Sequence, residues 1–225
     1  PVSRMASWFG LALLSLAALT TSSDASGFTT LPSHGPTQLR GSSGNGTVYI
    51  LRHGEKVWML GCENAQGLAR AQNLIHVFNG MPSTEHETFP KPKAVFANWY
   101  HDPVDCERCN QTMQPLAQAN GLQVDITHGG DSPGTGSGGG NKGAAAAILA
   151  TLKRTGGPVV VGWEHVNIQF LTAELGVPKD HIPEWPGSDY DTIYVLKFDS
   201  NQKLIFWRKS AQHFPAPEDD GEHVV

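Results

Sequence analysis

Thr47-Val48-Tyr49-Ile50-Leu51-Arg52-His53-Gly54-Glu55 is the stretch on which the reading of this 225-residue chain turns. From Thr47 to Leu51 it is β-branched, aromatic or aliphatic, the composition of a short strand buried inside a sheet. The apolar run then stops at a cation, an imidazole and a glycine. When strands alternate with helices, ligands are held beyond the carboxyl ends of the strands. Arg52, His53 and Gly54 occupy such an end.

Working outward, the chain repeats this unit. A helix is expected from about Ala65 to Phe78, with Leu68, Ala71, Leu74, Ile75 and Phe78 on one apolar face, ended by Asn79-Gly80. A second strand lies near Lys93–Ala97, a helix over Arg108–Asn120 closed by Gly121, and a third strand over Leu122–Ile126. Gly129 to Gly143 is nearly all Gly, Ser, Asp and Pro and reads as a loop. An alanine-rich helix over Ala144–Lys153, a strand over Pro158–Trp163 and a helix from about Asn167 to Leu175 follow. Thr192–Phe198 and Lys203–Trp207 form a closing hairpin around Ser200-Asn201. This order defines an α/β three-layer sandwich, a mostly parallel central sheet with helices on both faces.

The flanks differ from this body. Arg4 precedes a 12-residue apolar run, Trp8 to Leu19, and small polar residues follow up to Ala25. That is the pattern of a signal peptide, too short for a stable membrane anchor. Residues 1–25 are therefore read as a signal peptide of a secreted protein and 26–46 as a flexible linker. The catalytic domain takes 47–214, and 215–225 is an acidic tail. Sixteen Lys and Arg against 21 Asp and Glu leave a net charge of −5. The basic residues are scattered, so no nucleic-acid partner is expected.

Cys62, Cys106 and Cys109 are the three cysteines. Two would pair in an oxidising compartment, Cys62 with either Cys106 or Cys109. Cys106-Glu107-Arg108-Cys109 also invites a redox or zinc reading, but zinc would have only His101 and Cys62 as further ligands, and a structural disulfide fits better. Asn45-Gly46-Thr47 is a glycosylation sequon in an exposed stretch. Asn110-Gln111-Thr112 is another, inside the expected second helix.

The strand-end rule selects the chemistry. The first strand delivers Arg52, His53, Gly54 and Glu55, the fourth delivers Trp163, Glu164 and His165, and Arg108 opens the helix after the second. Two histidines and two arginines in one crevice suit a phosphoryl group. A neutral imidazole attacks phosphorus when its other nitrogen is held by a hydrogen bond. Guanidinium forks bind two phosphoryl oxygens at once, and Gly54 lets the main chain come close to a ligand.

Val48 to Glu55 resembles the strand-plus-Arg-His-Gly signature of the histidine phosphatase (phosphoglycerate-mutase-like) superfamily. Gly67-Leu68-Ala69-Arg70-Ala71 is similar to the helix that follows it, Arg108 with Gln111-Thr112 to the helix of the second arginine, and Glu164-His165-Val166-Asn167-Ile168 to the segment of the second histidine. The four matches stand in family order over about residues 47–170. The resemblance implies a metal- and cofactor-free phosphomonoesterase acting on a small phosphorylated substrate. His53 would be the nucleophile, with Arg52, Arg108 and His165 forming the phosphate pocket. Asn98 to Pro103 departs from the usual Ser-Pro before the second arginine. Val166 replaces the aspartate that serves acid-phosphatase relatives as proton donor. The donor candidates are Asp131, Glu164 and, third, Asp102. A non-catalytic phosphate-binding or effector-like protein is the alternative function. Trp58, Trp99, Tyr100, His101 and Trp185 are expected to form an aromatic rim.

Overall fold

In the computed structural model, β1 (Gly46–Arg52) runs through the middle of a six-stranded sheet. The residues described are 46–57, 60–100, 106–129 and 138–215. They belong to one unit of the chain, Gly41–Val225. The expected signal peptide, most of the linker, the acidic tail beyond Pro215, and Trp58, His101, Asp102 and Asp131 lie outside them.

After β1 come α1 (Ala65–Val77), β2 (Ala94–Ala97), α2 (Arg108–Ala119), β3 (Val124–Asp125), α3 (Gly140–Thr155), β4 (Val159–Trp163) and α4 (His165–Glu174). A 3-10 turn over Lys179–His181 leads to β5 (Thr192–Phe198) and β6 (Leu204–Ala211). The sheet order is β3-β2-β4-β1-β5-β6. The first four are parallel, and β5 and β6 add an antiparallel edge.

Alternation along the strands builds the two outer layers. Val48 and Ile50 of β1 join Val159, Val161 and Trp163 of β4 under Ile148 of α3 and Ile168 and Leu171 of α4. Tyr49 and Leu51, with Val160, face Leu74 and Val77 of α1 and Met113 and Leu116 of α2 on the other side. Every one of these side chains is nearly water-free. Burial at about 25 cal/mol per Å² of apolar surface makes these two layers the main source of stability.

The third strand is shorter than expected, Val124–Asp125, and the last runs on to Ala211; three further differences bear on the site. α1 is rotated from the expected face: Leu68 is exposed, and Gly67, Arg70, Ala71, Leu74 and Val77 are buried. The cause is Arg70, which turns inward to pair with Glu55 at 2.7 Å and with Asp191 at 3.2 Å. α3 begins at Gly140, four residues before Ala144, after a turn in which Gly138, Gly139 and Gly140 all take positive φ. Asn141 is then held inside by the Trp163 indole, whose Nε1 donates to Asn141 Oδ1 at 2.9 Å. α4 begins at His165 rather than Asn167, which puts that imidazole on the first residue of a helix. No helix among the described residues is long and apolar enough to cross a membrane.

Candidate active site

β1 and β4 are in register, with Arg52 opposite Trp163, and the ladder continues one step as the His53 N–H donates to the Trp163 carbonyl at 3.3 Å. His53 and Glu164-His165 are therefore delivered side by side at neighbouring strand ends. The His53 and His165 rings lie 6.4 Å apart, edge to face. Arg108, the first residue of α2, enters from the α1/α2 side. Arg52, His53, Arg108, Glu164 and His165 are thus brought together as expected; Asp131 falls outside the described residues.

His53 is 1% exposed, and both ring nitrogens are engaged. Nδ1 lies 2.7 Å from the Gly54 carbonyl, and the Nε–H of Arg108 donates to Nε2 over 3.1 Å. A carbonyl accepts and a guanidinium donates, so the pair defines one tautomer: proton on Nδ1, lone pair on Nε2. Burial first, then Arg108, Arg52 and His165, hold His53 well below the usual histidine range, against the Gly54 hydrogen bond that acts to raise it. The imidazole is neutral and its lone pair accepts from Arg108.

Arg52, 3% exposed, is spread against the segment before β5. Its Nη1 donates to the carbonyls of Gly187 at 2.6 Å and Asp189 at 3.3 Å, and its Nη2 to the Tyr190 hydroxyl at 3.2 Å. Arg52 Nε remains buried without a partner. Arg108 lies 4.0 Å over the Tyr100 ring. Tyr100 and Trp185 are core residues here, 7% and 5% exposed, so the expected aromatic rim does not include them.

His165 is pushed down to about 4 by burial and by Arg52, Lys56 and Arg108. Its 3.5 Å approach to Glu164 is therefore a contact with a neutral ring rather than an ion pair. His165 Nδ1 makes no hydrogen bond. Burial raises Glu164 against its bond to Asn167 and the pull of Arg108, Arg52 and Lys56. Asn167 Nδ2 holds Glu164 Oε2 at 2.9 Å, and Asn141 Nδ2 in turn holds Asn167 Oδ1 at 2.8 Å. A run of buried amides starting at the Trp163 indole thus fixes the carboxyl.

Gly54 has a packing reason to be glycine. A Cβ there would lie 2.6 Å from Glu63 Oε1 and 2.7 Å from the Gly67 Cα. Its N–H is shared by Glu63 Oε1 at 2.9 Å and Thr112 Oγ1 at 2.8 Å, and the Thr112 hydroxyl makes a very short contact to the same Glu63 oxygen. Glu63 was not among the sequence candidates. It sits in a polar loop, and its position depends on α1 and α2 meeting; its one sequence signal is Cys62, which pairs with Cys106. Cys109 is the free thiol, pushed up to about 12 by burial, and is buried beside Tyr100. No group of three metal-ligating side chains occurs among the described residues.

Two buried polar atoms of the site, Arg52 Nε and His165 Nδ1, make no hydrogen bond. Leaving such groups unpaired costs roughly 1–3 kcal/mol each. α4 starts at His165, so its positive end faces the same place, a setting for an anion. The arrangement is a neutral nucleophile among cations and donors, with a carboxyl raised by burial beside it.

No family model matches the sequence, and no curated protein matches it. In fold the chain is similar to the protein histidine phosphatase SixA complexed with tungstate, at 16% identity and a TM-score of 0.47 over 74% of this chain and 97% of that one. It is similar to mycobacterial glucosyl-3-phosphoglycerate phosphatase in complex with inorganic phosphate, at 17% identity and a TM-score of 0.48 over 73% and 95%. Phosphoserine phosphatase from Entamoeba histolytica in complex with 3-phosphoglyceric acid is similar at 14% identity and a TM-score of 0.48 over 75% and 100%.

Proposed function

We propose that this chain is a phosphomonoesterase of the histidine phosphatase superfamily, hydrolysing a small phosphate ester through a phosphohistidine at His53. The observation that carries the reading is the fixed tautomer of a neutral His53, with Nδ1–H on the Gly54 carbonyl and the Nε2 lone pair directed at Arg108. An entering phosphoryl group takes the place of that lone pair as the partner of Arg108. Arg52 Nε and His165 then find acceptors in its oxygens.

In the first step Nε2 forms a bond to phosphorus as the bond to the ester oxygen breaks. The leaving oxygen takes a proton from Glu164, whose carboxyl burial raises above the usual carboxylate range. In the second step the Glu164 carboxylate accepts a proton from water as its oxygen attacks phosphorus, and the P–N bond breaks. The arginines supply the positive charge that phosphoryl transfer requires, so no metal or cofactor enters the scheme. Asp131 and, third, Asp102 stand as the other donor candidates. The proposal includes secretion, for which the sequence pattern of residues 1–25 and the Cys62–Cys106 disulfide, a bond of oxidising compartments, are the support.

The test is hydrolysis of p-nitrophenyl phosphate by the wild type and His53→Ala, with acid-quenched samples examined for phosphohistidine by mass spectrometry. Loss of turnover and of the adduct in the variant is expected. Unchanged turnover in His53→Ala would remove the nucleophile assignment. Phosphate binding without turnover by the folded wild type would favour the non-catalytic alternative.

A further inference from the structure

Glu63 is a buried acid that the proposed reaction does not use. It is 6% exposed, and its Oε2 has no hydrogen-bond partner. Its other oxygen receives both the Gly54 N–H and the Thr112 hydroxyl. Gly54 is the residue whose carbonyl holds the proton on His53 Nδ1. The peptide units on the two sides of the Gly54 Cα are thereby tied, one to Glu63 and one to the nucleophile.

The anchor reaches the second arm of the site as well. The Glu63 N–H donates to Gln111 Oε1 at 3.0 Å, and the Thr112 hydroxyl, whose one proton goes to Glu63, lies 3.0 Å from the Arg108 carbonyl. Cys62 next to Glu63 is bonded to Cys106, two residues before Arg108. Lys56 faces Glu63 across an isolated antiparallel bridge. One short loop therefore carries the carboxyl that holds the His53 turn and is bonded to the start of the helix that holds Arg108.

We propose that Glu63 is a positioning residue for the reaction: its ionised carboxylate holds the Gly54 main chain so that His53 keeps its proton on Nδ1 and presents Nε2 to Arg108 and the phosphoryl group. A charged acceptor makes a hydrogen bond roughly twice as strong as a neutral one, so the hold tightens when Glu63 ionises. Burial pushes Glu63 up to about 7, against its bonds to Thr112 and Gly54; Glu55 raises it further and Arg70 lowers it. Around it the buried Cys109 stays a neutral thiol, and the charged groups of the adjoining segments are Glu55, Lys56 and Arg70, with Glu107 and Arg108 at the start of α2. The proposal rests on the phosphatase reading for its kinetic arm only.

The experiment compares wild type, Glu63→Gln and Glu63→Ala in two ways. The first is the ¹⁵N spectrum of the His53 ring from pH 5 to 9, which reports the tautomer without turnover. The second is the pH profile of kcat and KM with p-nitrophenyl phosphate. In the wild type the Nδ1–H tautomer and kcat are expected to strengthen together as pH rises through about 7. Glu63→Gln is expected to lose that step and about 10-fold in kcat at pH 8, with KM within about threefold, and Glu63→Ala to lose more. Thr112→Val, which removes the hydroxyl bound to the same oxygen, replaces either variant if it does not fold. A His53 tautomer and a kcat profile identical in wild type and Glu63→Gln would overturn the proposal. An inactive wild type would count against the phosphatase reading, and the ¹⁵N titration would still decide the role of Glu63.

Discussion

Arg108 Nε donates to His53 Nε2 at 3.1 Å, so the nucleophilic lone pair is covered by the same guanidinium that is to bind the phosphoryl oxygens. The contact has two effects. It disfavours protonation of Nε2 while the site is empty, and it sets the guanidinium within one substituent's breadth of the reacting atom. Binding then exchanges one hydrogen bond for stronger, charge-assisted ones.

Arg108→Ala is accordingly expected to lower kcat/KM by about 10²–10³, the usual loss when one fixed donor to a developing oxyanion is removed. Arg108→Lys keeps the charge but not the planar fork, and is expected to recover only part of the loss. Steady-state kinetics with p-nitrophenyl phosphate measure both. A lysine variant equal to the wild type would mean that charge alone, not the fork, serves the reaction.

Glu164 as proton donor predicts a dependence on the leaving group. Nitrophenolate leaves without help, whereas an alkoxide needs a proton. Glu164→Gln is expected to lose about 10²–10⁴-fold on an alkyl phosphate and far less on p-nitrophenyl phosphate. The wild-type rate on the alkyl ester should also fall as pH rises and the carboxyl ionises, a limb absent from the variant. Equal losses on both esters would move the donor role to Asp131.

An oxyanion in the pocket should raise the pKa of His165. With the site empty, burial and three cations hold its pKa at about 4. A phosphate dianion cancels that field and accepts a hydrogen bond from the ring. Saturating inorganic phosphate is expected to raise the His165 pKa by at least one unit in an NMR titration. No change would place the phosphate away from His165.

The Cys62–Cys106 bond closes a span of 44 residues. Chain-entropy arguments give such a loop about 4 kcal/mol, with 2–4 typical of measurement. Replacing both cysteines with serine should lower the urea midpoint accordingly. Because the bond joins the Glu63 loop to the start of α2, the variant should also lose kcat at temperatures where it is fully folded. Unchanged kcat would confine the bond to stability.

The core of the site was legible because it sits where strand ends and helix starts are announced by composition. The β-rich run ends at Arg52-His53, and α2 starts at Arg108 as its pattern predicts. Glu63 was not legible, since nothing local distinguishes a carboxylate under Gly54 from one in water. The start of α3 was missed because Gly140-Asn141-Lys142-Gly143 has poor helix propensity, and its helical state depends on the buried Asn141–Trp163 bond. Leu68 and Arg70 exchanged their expected places because an ion pair with Glu55, distant in the pattern, outweighed the apolar stripe.

Glu63 also sets a cost that stability measurements can read. Its folded pKa is about 7 against a reference value of 4.5, so the folded state binds the proton more tightly than the unfolded chain. A carboxyl raised in this way favours folding most when protonated, below the unfolded value. Its contribution falls as pH rises through the window from 4.5 to about 7 and is constant above it. At 1.36 kcal/mol per unit the loss is about 3 kcal/mol. The wild type should therefore be less stable at pH 8 than at pH 5 by most of this amount, about 2.5 kcal/mol, and Glu63→Gln, which cannot ionise, should not share it. The depressed His165 acts with the opposite sign, losing stability as pH falls below the normal histidine range, but it is common to both proteins and cancels in their difference. Urea unfolding of the two at pH 5 and pH 8 gives that difference directly. A variant more stable than the wild type at pH 8 and slower in turnover would show that the buried carboxylate is kept at the expense of the fold. A wild type with no excess loss between the two pH values would mean that Glu63 ionises as freely in the folded protein as in the unfolded chain.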